Sequence, residues 1–412
     1  MTTRMASTRS AGRWLAGAGV AVALGTSAVT AAAQTDEQKK NARFPDYPLT
    51  LAEQGNFFVN THYVERDDTS GEHIMAGQMY VSYKIPEHVT RKYPIVFIHG
   101  GGLTGSGFDA TPDGRQGRPD FFVARGYKVY VVDQPARGRS AYHPEINGPL
   151  NPAGSAEGLE QRFTAPEDFN LWPQAHLHNQ WPGTGRIGDP VFDQFFASEV
   201  RGVPGDSQEN LTQNGGAALL DRIGPAIILT HSQSGPHGWL IADARPDKVA
   251  AIVAVEPSGP PFHNVVNLGP PDWFEVGPLA RPWGITATEI HYDPEVTDPS
   301  ELGFAYQDAP DGPDLVRCHL QTEPARQLPR LQGIPIVIIA SGAGYHRAYD
   351  HCTARYLEQA GVRNDYIPLD ERGIEGNGHM MMLEKNNRRI ARLIHTWLQN
   401  NVASATAAVV AR

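Results

Sequence analysis

Basic residues are scarce in this sequence. Its 412 residues include 35 Lys and Arg against 45 Asp and Glu, a formal net charge of −10. An acidic balance argues against nucleic acid as a partner, because the phosphate backbone attracts basic surfaces.

Long apolar stretches are also scarce. After the N-terminal region, no run reaches the roughly 20 apolar residues that a membrane-spanning helix requires, so no stable membrane insertion is expected. The one long apolar run, from Trp14 to about Val29, follows three arginines and ends in the small residues Ala31–Ala33. This order is typical of a secretory signal peptide over residues 1–33, with an uncleaved N-terminal anchor as the alternative. The predicted location is therefore secreted or periplasmic.

Cysteine occurs only twice, at Cys318 and Cys352. In the oxidising compartment that a signal peptide implies, the two predict one disulfide, and two buried free thiols are the alternative. His346 and His351 lack further ligands at metal-site spacing. No metal and no other cofactor is expected.

Charged residues make up 19% of the chain and apolar residues 40%, which excludes a disordered or coiled-coil protein. The 42 glycines and 33 prolines predict long irregular loops around a regular core.

Short apolar runs without alternation are typical of strands buried on both faces of a parallel sheet. Five of them occur, at residues 95–98, 129–132, 226–229, 251–255 and 334–339. Helical stretches at 121–125, 239–244 and 348–360 lie between or after them, and apolar residues from Leu383 to Leu398 recur at helical spacing. An antiparallel hairpin of residues 57–59 and 79–85 precedes them. The pattern predicts an α/β fold with a mostly parallel, doubly wound sheet.

Two intervals, at about 141–223 and 257–332, are too long to be simple connections. Both are rich in Pro, Gly and aromatic residues. We expect insertions that lie over the carboxyl edge of the sheet, where open α/β sheets bind ligands. The alternative is that they only cover hydrophobic surface. Residues 34–412 are thus predicted to form one α/β domain with two insertions.

Ser232 is the candidate nucleophile. It follows the predicted strand 226–229 and precedes a predicted helix, the strand–turn–helix context of a nucleophile elbow. Thr230 and Ser234 stand where the usual elbow has glycines. Ser234 is the rival nucleophile, and a helix-capping role for both serines is the structural alternative.

A glycine-rich turn, His99–Gly102, follows the strand that ends at Ile98. Such a turn lets backbone N–H groups approach a substrate oxygen. The N–H groups of Gly101 and of Gln233, which follows the nucleophile, are predicted to form an oxyanion hole.

His379 is the candidate base, because it lies after the last predicted strand, 366–368, and before the final helix. The acid is less usual. The segment after strand 334–339 has no carboxylate before Asp350, whereas Glu256 directly follows strand 251–255. Glu256 is predicted to orient His379, with Asp350 or a purely structural Glu256 as alternatives.

Several motifs together carry a family resemblance: His99–Gly105, Thr111–Arg115, Asp133–Gln134, Arg137–Ser140, His231–Gly235, Val255–Pro257 and Gly376–Met382. The chain resembles the atypical secreted bacterial esterases of the α/β-hydrolase superfamily, which place the acid as a Glu after the sixth strand. The resemblance implies Ser232, Glu256 and His379 as the triad. Relatives can carry adjacent cysteines where this chain has Gly101 and Gly102, and the interval 257–332 exceeds the family's simpler pattern.

The predicted function is hydrolysis of a small-molecule carboxylic ester through an acyl-enzyme. A lactonase with the same triad and a catalytically silent binding protein are the alternatives. Arginines 115, 137 and 139 are interpreted as turn and salt-bridge residues, with contact to an acidic substrate as the other option.

Overall fold

The computed structural model describes residues 48–66 and 69–402. The predicted signal peptide lies outside the described residues. The strands, numbered along the described chain, are β1 (Leu51–Val59), β2 (His62–Glu65), β3 (His73–Ala76), β4 (Met79–Pro86), β5 (Ile95–Ile98), β6 (Val129–Asp133), β7 (Ala226–His231), β8 (Val249–Val255), β9 (Phe262–Asn267), β10 (Phe274–Arg281), β11 (Phe304–Tyr306), β12 (His319–Gln321), β13 (Ile336–Ala340) and β14 (Asp365–Pro368).

Eight of these strands form one sheet in the order β1-β4-β6-β5-β7-β8-β13-β14. Six neighbouring strands of this sheet run parallel, namely β6, β5, β7, β8, β13 and β14. The remaining two, β1 and β4, add an antiparallel edge. Every residue of β5, β7 and β13 is buried, as expected for strands covered on both faces. The predicted mostly parallel α/β sheet is confirmed.

Helices cover both faces of this sheet. The α-helices are α1 (Ser106–Asp109), α2 (Arg118–Val123), α3 (Pro144–Asn147), α4 (Ala156–Leu159), α5 (Pro190–Phe196), α6 (Gly205–Ile223), α7 (Ser234–Ala244), α8 (Asp350–Gln359) and α9 (Asn387–Asn401). Within β5, Val96 and Ile98 join a core with α6, α7 and α8, whereas Ile95 and Phe97 join a second core with α2 and α9. Alternate residues of a strand point to opposite faces, so the two cores lie on the two sides of the sheet.

The two long intervals differ in structure. The first ends in the long helix α6, whose Leu219 and Leu220 are in the first core. The second contains two small antiparallel pairs, β9 with β10 and β11 with β12. A disulfide between Cys318 and Cys352 joins this second interval to α8.

Two local predictions need correction. The final helix begins at Asn387, and Leu383 lies in the turn before it. The predicted first hairpin, of residues 57–59 and 79–85, contains a further strand pair between its two strands, β2 with β3. No helix in the described ranges combines the length and apolar character needed to cross a lipid bilayer.

Candidate active site

A strained turn presents Ser232 between β7 and α7. Its φ is +57°, a value that costs a residue other than glycine about 1–3 kcal/mol. Backbone hydrogen bonds fix this conformation, because the Ser232 N–H donates to Val255 O at 3.1 Å and the Ser232 carbonyl accepts from Gly235 and Ser258 at 2.9 Å each. Ser232 and Gln233 are partly exposed, whereas the α7 residues that follow are buried.

The rival Ser234 is placed differently. Its side chain is fully buried, and its hydroxyl donates to Ile98 O at 2.8 Å and accepts from the His231 N–H at 2.9 Å. Thr230 is also buried, and its methyl group lies 3.0 Å from the position that a Cβ on Gly238 would occupy. The elbow therefore accommodates Thr230 and Ser234 where glycines are usual, and the Ser234 hydroxyl braces the turn.

His379 and Glu256 form a buried pair. The distance from His379 Nδ1 to Glu256 Oε2 is 2.5 Å, and both side chains are at most 1% exposed. Glu256 follows β8 with φ +43°, and its N–H donates to Ile339 O of the neighbouring strand β13 at 2.9 Å. The structure thus brings together the base and the acid that the sequence predicts.

Ser341 completes the carboxylate's surroundings, a contact that the sequence analysis missed. Its N–H donates to Glu256 Oε1 at 2.6 Å, and its hydroxyl bonds to the same oxygen. Ser341 stands directly after β13, where the usual acid would be. A Cβ on Gly344 would lie 2.2 Å from the Ser341 hydroxyl oxygen, so this turn needs glycine.

The charge of the pair is set by burial. Burial lowers the pKa of His379 well below its ordinary value, and electrostatic interaction with His346 and Arg162 acts in the same direction. Burial raises the pKa of Glu256, opposed by His346 and by the hydrogen bonds from Ser341. A neutral imidazole at pH 7 is the form that can accept a proton.

Four rings surround the His379 imidazole. His346 stacks on it at 4.7 Å between centroids and Phe163 at 5.1 Å, while His231 and Tyr345 lie at 4.6 and 5.0 Å. His231 also holds the backbone of His379, because its Nε2–H donates to the His379 carbonyl at 3.0 Å.

Asp350, the alternative acid, is paired with another histidine. Its Oδ1 lies 2.9 Å from Nδ1 of His346, and both side chains are buried. The histidine and carboxylate beside His379 therefore form a second pair, and the carboxylate that contacts His379 is Glu256.

The glycine-rich turn after β5 lies against the elbow. A Cβ on Gly100 would be 3.0 Å from Ser232 Cβ, and one on Gly101 would be 3.4 Å from Gln233 Oε1. His99 Nε2 accepts from the Gln134 N–H at 3.0 Å, so Nδ1 carries the proton that it donates to Gly100 O at 2.9 Å. The two predicted oxyanion donors belong to adjacent segments.

An ionic cluster anchors the loop that carries the base. His178 bonds Glu167 Oε2 through Nδ1 at 2.6 Å and Glu384 Oε1 through Nε2 at 2.9 Å. Glu384 also accepts from the Gly378 N–H at 2.8 Å. Although burial opposes its charge, the two carboxylates raise the pKa of His178 to about 9. The imidazolium therefore ties the first long interval to the loop that precedes His379.

The three arginines singled out in the sequence have separate roles. Arg115 pairs with Asp113 at 2.7 Å and also donates to carbonyls of the turn after His379. Arg139 pairs with Asp133 at 2.8 Å. Arg137 is buried and bonds neutral groups of the glycine-rich turn and the elbow.

The described part of the chain contains two groups of potential metal ligands. Within each group, the ligand atoms of the three side chains lie within 4.8 Å of one another; the groups are Glu256, His346 and His379, and Cys318, His351 and Cys352. In the first group, the His379–Glu256 and His346–Asp350 hydrogen bonds already engage all three side chains. In the second group, the two sulfurs are bonded to each other.

Comparison with known proteins finds similarity to one protein family, to a lipase and to an esterase. The sequence model described as "Alpha/beta hydrolase family" matches residues 95–393. The probable secreted lipase phiG of Fungal sp. (strain ATCC 74256) is 47% identical over 325 residues, which cover 78% of this chain and 85% of that protein. A solved structure described as "a novel bacterial esterase" is 25% identical with a TM-score of 0.57, covering 88% of this chain and 99% of that one.

Proposed function

The chain belongs to the alpha/beta hydrolase family, and we propose that it cleaves carboxylic esters with Ser232 as nucleophile, His379 as base and Glu256 as the acid that orients the base. The observation that carries the proposal is the buried 2.5 Å contact between His379 and Glu256 beside a strained elbow. One relative is called a lipase and the similar structure an esterase, which supports ester hydrolysis.

The reaction follows from the hydrogen bonds of His379. Because Glu256 accepts from Nδ1, the second nitrogen, Nε2, carries the lone pair that takes the Ser232 proton. The serine oxygen attacks the ester carbonyl, and the N–H groups of Gly101 and Gln233 stabilise the resulting oxyanion. The protonated imidazole then gives its proton to the departing alcohol.

Deacylation repeats these steps with water. His379 removes a proton from the water, the hydroxide attacks the acyl-enzyme, and Ser232 recovers its proton as the acid leaves. In both half-reactions the Glu256 carboxylate stabilises the imidazolium. The Ser341 hydrogen bonds favour the ionised carboxylate that this role requires.

The position of Glu256 supports a finer assignment. Along the chain, β8 is the sixth strand of the eight-stranded sheet, and Glu256 directly follows it. This order fits the atypical secreted esterase group, in which the acid is a Glu after the sixth strand. Secretion itself is supported by the N-terminal sequence pattern and by the relative called a secreted lipase.

A substrate screen tests the proposal. Purified protein is assayed on aryl esters of graded acyl length and on several lactones, with Ser232→Ala as the comparison. We expect ester turnover that Ser232→Ala lowers by about 10⁴- to 10⁶-fold, as the loss of a nucleophile does. Turnover of lactones alone would favour a lactonase, and a folded wild-type protein inactive on every compound would favour a binding protein.

A further inference from the structure

Arg137 lies between the two segments that supply the proposed oxyanion donors. It follows β6, and its side chain is only 3% exposed. Its Nη1 donates to Gly100 O and to Gln233 Oε1 at 3.1 Å each, and its Nη2 donates to Gln208 Oε1 of α6 at 3.2 Å. One guanidinium nitrogen therefore bridges the glycine-rich turn and the elbow.

The bond to Gly100 O acts on an oxyanion donor directly. The Gly100 carbonyl and the Gly101 N–H belong to the same peptide unit, and in a trans peptide they point in opposite directions. His99 Nδ1 donates to the same carbonyl at 2.9 Å. Two donors thus fix the orientation of this peptide and polarise it, which strengthens its N–H as a donor.

The bond to Gln233 acts on the second donor. Gln233 supplies the other predicted oxyanion N–H, and its side chain is held through Oε1. A Cβ on Gly101 would lie 3.4 Å from this same oxygen. Arg137 therefore contacts the segments of both predicted donors through one nitrogen.

Arg137 lacks an ion pair in direct contact that would explain its burial by stability alone. Arg115 and Arg139 each pair with an aspartate, whereas no carboxylate oxygen in the described ranges lies within 4.0 Å of Arg137. Its Nε also lacks a hydrogen-bond partner there. Burial lowers the pKa of Arg137 to about 10, with a partial opposing effect from Glu199. A buried cation of this kind is costly to keep.

The surrounding chain is shaped to admit this cation. A Cβ on Gly202 would lie 1.9 Å from Arg137 Nη2, so only glycine lets the chain pass over the guanidinium. Gln208 is itself fixed, because its Nε2 donates to Pro135 O at 3.1 Å. The charge is thus held against the peptide whose N–H is a predicted oxyanion donor.

We propose that Arg137 is the positioning residue of the oxyanion hole, holding the Gly101 and Gln233 N–H groups at the spacing that binds the tetrahedral oxyanion and adding its own positive charge behind them. This inference rests on the proposed ester hydrolysis and deepens it. It assigns to Arg137 a role in the transition state and none in ground-state binding.

The test compares Arg137→Met and Arg137→Lys with wild type. For Arg137→Met, we expect kcat/KM on an aryl ester to fall about ten- to a hundredfold, less than the loss of an entire oxyanion donor, with KM within about twofold. The inhibition constant of a matching aryl trifluoromethyl ketone, whose serine adduct mimics the tetrahedral oxyanion, should rise by the same factor. Arg137→Lys should recover part of both losses because it restores the charge and one donor.

Arg139→Met is the matched control. Arg139 lies in the same turn and leaves the buried Asp133 unpaired when removed, so this variant should lose stability while its kcat/KM per folded molecule stays unchanged. If Arg137→Met fails to fold, the same two constants are read from Arg137→Lys, and both should change by one common factor that exceeds twofold but is smaller than that expected for Arg137→Met, because the ammonium restores the charge and only one donor.

An Arg137 variant that loses stability but keeps both constants within twofold would overturn the positioning role. A wild-type protein that neither turns over esters nor reacts with the ketone would instead overturn the proposed function. The two failures are therefore separate.

Discussion

At the residue scale, two residues with strained backbone conformations carry proposed catalytic side chains. Ser232 and Glu256 both have positive φ. Ser232 directly follows β7, and Glu256 directly follows the neighbouring parallel strand β8. Backbone hydrogen bonds to Val255 and Ile339 hold them. Strain of this kind persists only where surrounding structure imposes it, and it concentrates at functional sites.

Glu256→Gln tests the acid. The amide would donate to His379 Nδ1 and so favour the tautomer that has its proton on Nε2, the wrong one for a base. We expect kcat to fall about 10³- to 10⁴-fold with little change in KM. Glu209→Gln is the control, since Glu209 is an equally buried carboxylate that bonds Ala287 and Thr288. Wild-type kcat in Glu256→Gln would contradict the assignment.

The carboxyl of Glu199 is expected to cause a fall in kcat/KM at alkaline pH. Its Oε2 occupies the space beside Gly102, 2.0 Å from where a Cβ would be, and burial raises the pKa of Glu199 to about 8 against the attraction of Arg137. Below that pH the side chain is neutral. Above it, the new negative charge lies beside the oxyanion turn and opposes the transition state. We therefore expect kcat/KM to fall above pH 8.

Glu199→Gln should remove this alkaline fall, as measured by kcat/KM from pH 6 to 10 after subtraction of spontaneous hydrolysis. Asp193→Asn, a change at an exposed carboxylate of α5, should leave the profile as in wild type. An unchanged alkaline limb in Glu199→Gln would show that another group causes it.

At the element scale, the carboxyl ends of the parallel strands gather the site. The proposed nucleophile follows β7, the proposed acid follows β8, and Ser341, whose hydroxyl bonds that acid, follows β13 where an acid is usual. The strand ends could be predicted, because buried parallel strands are continuous apolar runs. Ser341 and the stacked Phe163 could not, because nothing in a local pattern specifies which distant side chain they meet.

Helix α6 shows a second limit of sequence reasoning. The sequence places α6 inside the first predicted insertion, at about 141–223, whereas the structure packs it in the core. Gly215 and Gly216 lie in its middle, where glycine lowers helix propensity. Both allow close packing, since Cβ atoms there would lie 2.9 Å from Met79 Sδ and 2.3 Å from Ile241 Cδ1. Tertiary contact thus overrides a weak local signal.

The loop before His379 should be sensitive to alkaline pH. The pKa of His178 is about 9 in the fold and 6.5 ordinarily, so its contribution to stability is complete below pH 6.5 and is lost as pH rises through 9. His178→Gln leaves the buried carboxylate of Glu384 and the partly exposed one of Glu167 without their cation, and it should cost about 3–5 kcal/mol near pH 6.

Urea unfolding at pH 6 and pH 9.5 measures this effect. The difference in the free energy of unfolding between wild type and His178→Gln should be smaller at pH 9.5 than at pH 6. His176→Gln, a change at an exposed histidine nearby, should unfold with the free energy of wild type at both pH values. An equal difference at both pH values would argue that His178 stays neutral.

At the scale of the whole molecule, one covalent bond ties the second long interval to the sheet's helical layer. The Cys318–Cys352 disulfide spans 34 residues, and closing a loop of that length stabilises the folded state by about 4 kcal/mol. Thermal unfolding with and without reductant should show a lower Tm on reduction, and a double Cys→Ser variant should not respond. Alkylation of unreduced, denatured protein at both cysteines would contradict the bond.

Labelling with a fluorophosphonate, followed by peptide mapping, tests whether Ser232 is the nucleophile of a Ser–His–Glu triad. We expect one adduct, on Ser232, in wild type and in Ser234→Ala, and none in Ser232→Ala. An adduct on Ser234, or a folded wild-type protein that takes no label, would contradict it.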